Sequence, residues 1–485
     1  MKMLVRTLRC FRLSTGWKYS CYSTSITETT KKAIEFEDTG TAYQDKSTRD
    51  LLRHMFVFSI FSYENIVNRS QKLVKFARDI LGSKMFNKVM KMTVYGQFVA
   101  GENIQAILPV IDRYRRNGVR AILDYAVEED TPNENVVLET RSNAASHLAH
   151  SSLTSSDYEH FPQLKPTITH ADRTVRASAR TYFYDTEKKC DDVMKNFLSC
   201  VNMAADTTVE GDAAFAAIKL TGLGRVEFLL KLSEVVEGTR HMFLDLADGN
   251  DICTAQVTPQ SFHSGLRAKS IMVSQSEADD LYRKIDTDHK RTISVYDWIN
   301  RFQPGNDLYK YFQAQKGFGT LTVMEDDDLK QMQSVFQRVH TIAECAEERN
   351  VRLMVDAEQT YFQPAIRHIV VHVLMPKYNR ERPLIFNTIQ CYLKDARETL
   401  KMDVEYSIKS GFSYGVKLVR GAYLEQEREG AVLKGAPDPL WSSKAETNQC
   451  YNDSVECIMK RIRDSNIQMM VATHNKESVK KTIEL

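Results

Sequence analysis

In several places an apolar run of the 485-residue chain ends abruptly in a reactive side chain. Lys219 closes Ala213-Ala214-Phe215-Ala216-Ala217-Ile218, and Asp356 closes Val351-Arg352-Leu353-Met354-Val355. A charge at the end of such a run is costly unless it is paired or functional. The two residues therefore read either as a structural ion pair or as parts of a site. Leu418-Val419-Arg420-Gly421-Ala422-Tyr423 is more pointed. Arg420 and Lys417 offer positive charge to a phosphate or an electron-rich ring. Gly421 and Ala422 leave room for a ligand to approach the backbone, although a plain strand-to-helix turn with a basic pair has the same composition. Ala472-Thr473-His474-Asn475 ends another run with three hydrogen-bonding side chains. A lone histidine is usually structural, and such a cluster at a strand end less often so.

The elements that must position these groups follow a regular pattern. Runs at 119–125, 213–220, 351–356, 384–388, 414–420 and 467–472 read as strands, and those beyond residue 329 alternate with amphipathic helices. Such alternation predicts βαβ units and parallel strands. No Gly-x-Gly-x-x-Gly follows any strand; Gly222-Leu223-Gly224-Arg225-Val226-Glu227 comes nearest and ends in Glu. Polar residues end nearly every strand: Asp124, Lys219, Asp356, Gln390, Arg420 and His474. Chemistry drawn from many strand ends favours an α/β fold of the (β/α)8 TIM-barrel type over a doubly wound sheet. The expected fold is a distorted barrel with about six of eight strands. Residues 31–115 precede it as a helical arm and residues 116–485 form it, with insertions at about 140–170 and 225–320. The second insertion contains residues 286–297, spaced like an EF-hand calcium loop with Asp286 and Asp288 at positions 1 and 3. Lys290 stands where an oxygen ligand belongs, Arg291 where the turn wants Gly, and Asp297 where a bidentate Glu belongs. The loop reads as EF-hand-shaped and metal-free.

Composition narrows the function classes. Sixty-five basic against 63 acidic residues give no reason to expect a nucleic-acid partner. Nine scattered cysteines without a Cys-x-x-Cys pair read as reduced thiols. His368 and His372 lack the glutamate of a His-Glu-x-x-His zinc site, so no metal is expected there. No apolar run is long enough to span a bilayer. Residues 1–27 contain no acid; Lys2, Arg6, Arg9, Arg12 and Lys18 alternate with apolar residues ahead of serines and threonines. With the arginines three apart, near one side of a helix turn, this is the composition of a mitochondrial transit peptide, taken as residues 1–30.

Val355-Asp356-Ala357-Glu358-Gln359, Gln390-Cys391-Tyr392-Leu393-Lys394, Lys417-Leu418-Val419-Arg420-Gly421-Ala422-Tyr423 and Ala472-Thr473-His474-Asn475, in this order, resemble the proline dehydrogenase family. Ile122-Leu123-Asp124-Tyr125-Ala126-Val127-Glu128-Glu129 and Ile218-Lys219-Leu220 match as well. With the basic leader, the likeness is to the mitochondrial enzymes of animals. The resemblance implies a barrel holding FAD without a Rossmann motif and oxidising L-proline at carbon 5 to Δ1-pyrroline-5-carboxylate. Electrons then pass to a membrane quinone, which places the enzyme in the matrix, peripheral to the inner membrane. It implies that Lys219 contacts the proline carboxylate, that Asp356 helps form the pocket, and that Glu128 supports the substrate site. Gln390 and Lys417 would lie beside the flavin ring, and Arg420, Gly421, Ala422 and Tyr423 would line the cofactor. Thr447, His474 and Asn475 would hold the ribityl–phosphate–adenine part.

The family's last helix carries Arg-Arg-x-x-Glu, whose arginines clamp the proline carboxylate, and nothing after His474 matches it. The chain is therefore expected to be C-terminally incomplete and not to turn over proline as it stands. Three other readings stay open: a hydroxyproline dehydrogenase, a non-catalytic binding protein, and a lyase or aldolase with Lys219 as Schiff-base lysine.

Overall fold

The structure is a computed structural model. It describes residues 3–8, 36–125, 186–209, 212–249, 251–269, 271–313, 321–462 and 465–485. Glu128 and the insertion expected at about 140–170 lie outside the described residues. The chain divides into two compact units. One comprises Met1–Val127 and Met203–Ala216, the other Glu128–Asn202 and Ala217–Leu485.

In the first unit, helices Thr48–Phe61, Ser70–Met92 and Ile104–Arg116 lead to strand β2, Arg120–Tyr125. Ser47 and Asp50 close the first helix with reciprocal cap bonds, and Gly82, with φ 67°, breaks the second. Residues Met3–Leu8 form strand β1, antiparallel to β2 with Met3 opposite Tyr125 and Leu8 opposite Arg120. The arginine spacing had implied a helical turn here. A ladder to β2 supplies backbone partners that a short isolated helix would leave to water.

The second unit holds the parallel strands. The end of β3 (Ala214–Ile218) lies beside β6 (Val351–Val355), where the Asp356 amide donates to the Ile218 carbonyl at 2.9 Å. Then come β7 (Ile385–Gln390), β8 (Tyr414–Val419) and β9 (Ile467–Val471). Leu353 pairs with Ile385, Asn387 with Val416 and Tyr414 with Ile467. Every residue of β3 and β7 is buried; β3 accordingly reads as an unbroken apolar run, whereas β7 also buries Asn387, Thr388 and Gln390. Helices Asp326–Glu348, Ala396–Ser410 and Lys444–Ile462 form the crossovers. All six expected strands are present.

Residues 225–320, expected to be an insertion, contain more than the one loop expected. Helix Val226–Leu246, β4 (Gln256–Val257) and helix Pro259–Ala268 form a first helix–loop–helix. Helix Gln275–Ile285, β5 (Ile293–Ser294) and helix Val295–Arg301 form a second. The two short strands pair, Val257 opposite Ile293, as in an EF-hand pair. Trp298 knits them together: it stacks on Phe302, meets Phe243 edge-on and donates to the Thr239 carbonyl at 2.9 Å. In the second loop, Asp286 accepts from the amides of Lys290 (3.1 Å) and Arg291 (2.9 Å), and the Lys290 ammonium pairs with Asp288. Arg291 takes φ 63°, the left-handed backbone that a glycine would adopt without strain. No cluster of metal-ligating side chains exists among the described residues, and none of their helices is long and apolar enough to cross a membrane.

Candidate active site

The strand ends of the second unit gather a buried ionic cluster. Lys219 follows β3 in extended backbone just before a tight turn, and Asp356 follows β6. Lys417 projects from within β8, and its ammonium forms an ion pair with the Asp356 carboxylate. All three side chains are almost fully buried. The β7–β8 register sets Thr388 opposite Lys417 and Gln390 opposite Val419. The Thr388 hydroxyl donates to the Val355 carbonyl at 2.6 Å, tying β7 to β6 just ahead of Asp356.

Glu358, two residues beyond Asp356, completes the cluster. Its carboxylate accepts from the Thr221 hydroxyl at 2.6 Å and the Thr221 amide at 3.2 Å, so it bridges the ends of β6 and β3. Gln390 donates its amide to the Glu358 carbonyl at 2.8 Å. Burial pushes the Glu358 carboxyl up to about 7; the Thr221 bonds and the Lys219 charge pull it down, and Asp356 pushes it up. Two lysines thus face two carboxyls where water is nearly excluded. Sequence reasoning missed Glu358. The signal was present as a second acid in Asp356-Ala357-Glu358-Gln359, with Gln359 also fully buried.

A second group of expected residues collects at the ends of β8 and β9. The Arg420 guanidinium donates to Asn448 (2.7 Å), Thr473 (2.6 Å) and Ser478 (2.9 Å) and sits 4.4 Å from the centre of the Tyr451 ring. Three of its five N–H groups are thus spent on protein partners. Asn475 caps helix Lys476–Glu484 by accepting from the Ser478 amide at 2.9 Å, and its own amide donates to Thr473. Its side chain is committed to the fold. His474 beside it is exposed, and the Thr447 hydroxyl bonds back to the Ser443 carbonyl at 3.2 Å. Thr473 belongs to the strand-end cluster marked in the sequence; Asn448 and Ser478 were not expected.

Gly421 has a different reason from the one its sequence suggested. Its φ is 141°, and a Cβ there would lie 2.5 Å from the Tyr392 ring. One side of this glycine is filled by protein, while Gly421 and Ala422 remain exposed on the other. Tyr423 is buried at the start of helix Leu424–Lys434, whose Glu427 accepts from the Thr360 amide at 2.7 Å and from its hydroxyl. His368 and His372 lie on a helical run, the first buried and the second half-buried; burial holds His368 down at about 4.

The described residues thus define an α/β protein whose buried ionic cluster sits at the ends of parallel strands. The family model described as proline dehydrogenase matches residues 107–485, and the chain belongs to that family of oxidoreductases. It is 36% identical over 459 residues to "Proline dehydrogenase 1, mitochondrial" of Homo sapiens, covering 92% of this chain and 76% of that one. The Drosophila melanogaster protein of the same name is 33% identical, with 93% and 69% covered. "Hydroxyproline dehydrogenase" of Xenopus laevis is 27% identical, with 99% and 80% covered. Among solved structures, proline utilization A from Bdellovibrio bacteriovorus aligns at 14% identity and a TM-score of 0.43 over 91% of this chain. The chain spans about a third of that longer protein, 32%.

Proposed function

We propose that the protein takes part in FAD-dependent oxidation of L-proline to Δ1-pyrroline-5-carboxylate, with quinone as electron acceptor and the strands belonging to a (β/α)8-type barrel. The observation that carries this reading is the balanced cluster of Lys219, Asp356, Glu358 and Lys417 at the strand ends. Lys219 is suited to a substrate carboxylate, because a buried ammonium favours a charge-assisted partner. Lys417 neutralises Asp356, so the pocket can hold an amino acid without an uncompensated buried charge. Glu358, poised near neutrality, changes the field at Lys219 with pH. A hydride leaves carbon 5 readily only when the amine is unprotonated, which a water-poor site favours.

The residues present fit the flavin in chemistry. Gln390 keeps one N–H and its amide oxygen beyond the bond to Glu358, Arg420 keeps two N–H groups, and Gly421 and Ala422 expose backbone next to it. Gln390 and Lys417 would lie at the ring; Arg420, Gly421, Ala422 and Tyr423 along the cofactor; Thr447, His474 and Asn475 at its far part. Bound FAD would supply the two-electron acceptor, which no side chain here can provide. Glu128 is proposed to support the substrate site. The mitochondrial names of the relatives and the basic leader support residues 1–30 as a transit peptide and the matrix face of the inner membrane as the location.

The test has two separate readouts. The purified chain should be yellow, or take up added FAD, and a form that carries the family's Arg-Arg-x-x-Glu helix should be bleached by proline. A colourless protein that binds no FAD would overturn the cofactor reading. A flavoprotein that hydroxyproline bleaches faster than proline would move the assignment to that substrate.

A further inference from the structure

The first unit exposes an unusual amount of large apolar surface along the segment that holds Thr48–Phe61 and Ser70–Met92. Phe76 and Ile80 are each 65% exposed, and Leu73, Val74, Leu81, Met85, Val89 and Met92 are exposed as well. Residues 70–81 place Leu73, Val74, Phe76, Ile80 and Leu81 on one side and Lys72, Lys75 and Asp79 on the other. Residues 83–92 place Met85, Phe86, Val89 and Met92 opposite Lys84, Lys88 and Lys91; Phe86 is buried, so Met85, Val89 and Met92 are the ones that reach the surface. In one unbroken helix these two apolar faces would point roughly 140° apart. Gly82, with φ 67° and ψ 157°, breaks the helix where the pattern changes phase. The break lets each half set its own apolar face.

Charge selects the partner. The 23 residues of Ser70–Met92 carry six basic side chains and one acid. Lys91 pairs with Glu102, but Lys72, Lys75, Lys84 and Lys88 have no ion-pair partner among the described residues. A second copy of the chain, docked symmetrically on this face, would bring the same lysines together. An anionic lipid surface accepts both features: the apolar side chains enter the acyl boundary while the lysines meet the headgroups. We propose that residues 70–92 form an interfacial membrane anchor, two amphipathic helices hinged at Gly82 that lie flat on an anionic bilayer. This deepens the membrane side of the proposed function but does not depend on the flavin site, so vesicle binding and flavin content fail separately.

The experiment is co-sedimentation of the full chain with vesicles of phosphatidylcholine alone or with added phosphatidylglycerol, at low and high salt. Binding should require the anionic lipid and fall with salt. K72Q/K75Q/K84Q/K88Q should weaken it at least about tenfold. F76S/I80S should weaken it by roughly tenfold or more at low salt. Circular dichroism of both variants should match the parent chain, because only exposed side chains change. Equal binding by parent and variants would overturn the proposal. So would absence of vesicle binding together with a concentration-dependent dimer in sedimentation velocity that F76S/I80S abolishes, which would assign the face to a second copy.

Discussion

Two of the lysine–aspartate pairs in the second unit lie in opposite surroundings. Lys417 and Asp356 meet at the strand ends with side chains 6% and 7% exposed, whereas Lys290 and Asp288 meet in the EF-hand-like loop at 71% and 40%. The Coulomb attraction is alike in kind, but the consequence of losing a partner differs. In the buried pair the remaining charge has no water to turn to; in the exposed pair solvent replaces the partner at once. The first pair can tune a reaction site. The second only shapes a loop, and it does so by setting an ammonium beside the carboxylates that a calcium ion would otherwise require.

The largest effect should come from breaking the buried pair. Asp356→Ala should cost about 3–5 kcal/mol in urea unfolding, and the double variant Asp356→Leu/Lys417→Met distinctly less. Equal losses would show that packing, not charge, governs the site. Gly421→Ala should follow at about 1–3 kcal/mol, because both the positive φ and the Tyr392 ring resist a Cβ. The same substitution at Gly430, where a Cβ would meet nothing within 4 Å, should not destabilise the protein.

Glu358 offers a test by pH. Its folded carboxyl is raised from 4.5 to about 7, so the folded state holds the proton more tightly than the unfolded one. The associated stability is present at low pH and is lost as pH rises from about 4.5 through about 7. Glu358→Gln should therefore gain on the parent chain between about pH 5 and pH 8, by about 2 kcal/mol. A constant difference across that range would rule out titration of Glu358. The smallest effect belongs to the exposed pair. Lys290→Ala should leave the unfolding midpoint unchanged. Calcium added to the parent chain should not alter Trp298 fluorescence, and a saturable change would show that the loop binds metal after all.

Much of this was legible in the chain itself. Buried parallel strands need apolar residues on both faces, so β3 and most of β6 announce themselves as short apolar runs whose polar ends mark the site, whereas β7 carries Asn387 and Thr388 within the strand. The second EF-hand-like loop showed its frame through Asp286 and Asp288, but its partner at 247–258 has no such spacing and emerged only from the β4–β5 pairing. Arg420 looked available to a ligand. Its ties to Asn448, Thr473 and Ser478 depend on two later elements that come alongside it only in the folded sheet.

The sequence by itself thus determined which residues end strands, and through its ordered motifs the family. Local periodicity and residue type carry that information without knowledge of the fold. Only the tertiary structure decided which end meets which. Asp356 finds Lys417 across 61 residues and Thr221 finds Glu358 across 137. Those encounters follow from strand order and register, which no local pattern encodes. They also exclude water, and that exclusion raises the Glu358 carboxyl and makes the Asp356–Lys417 pair indispensable to both partners.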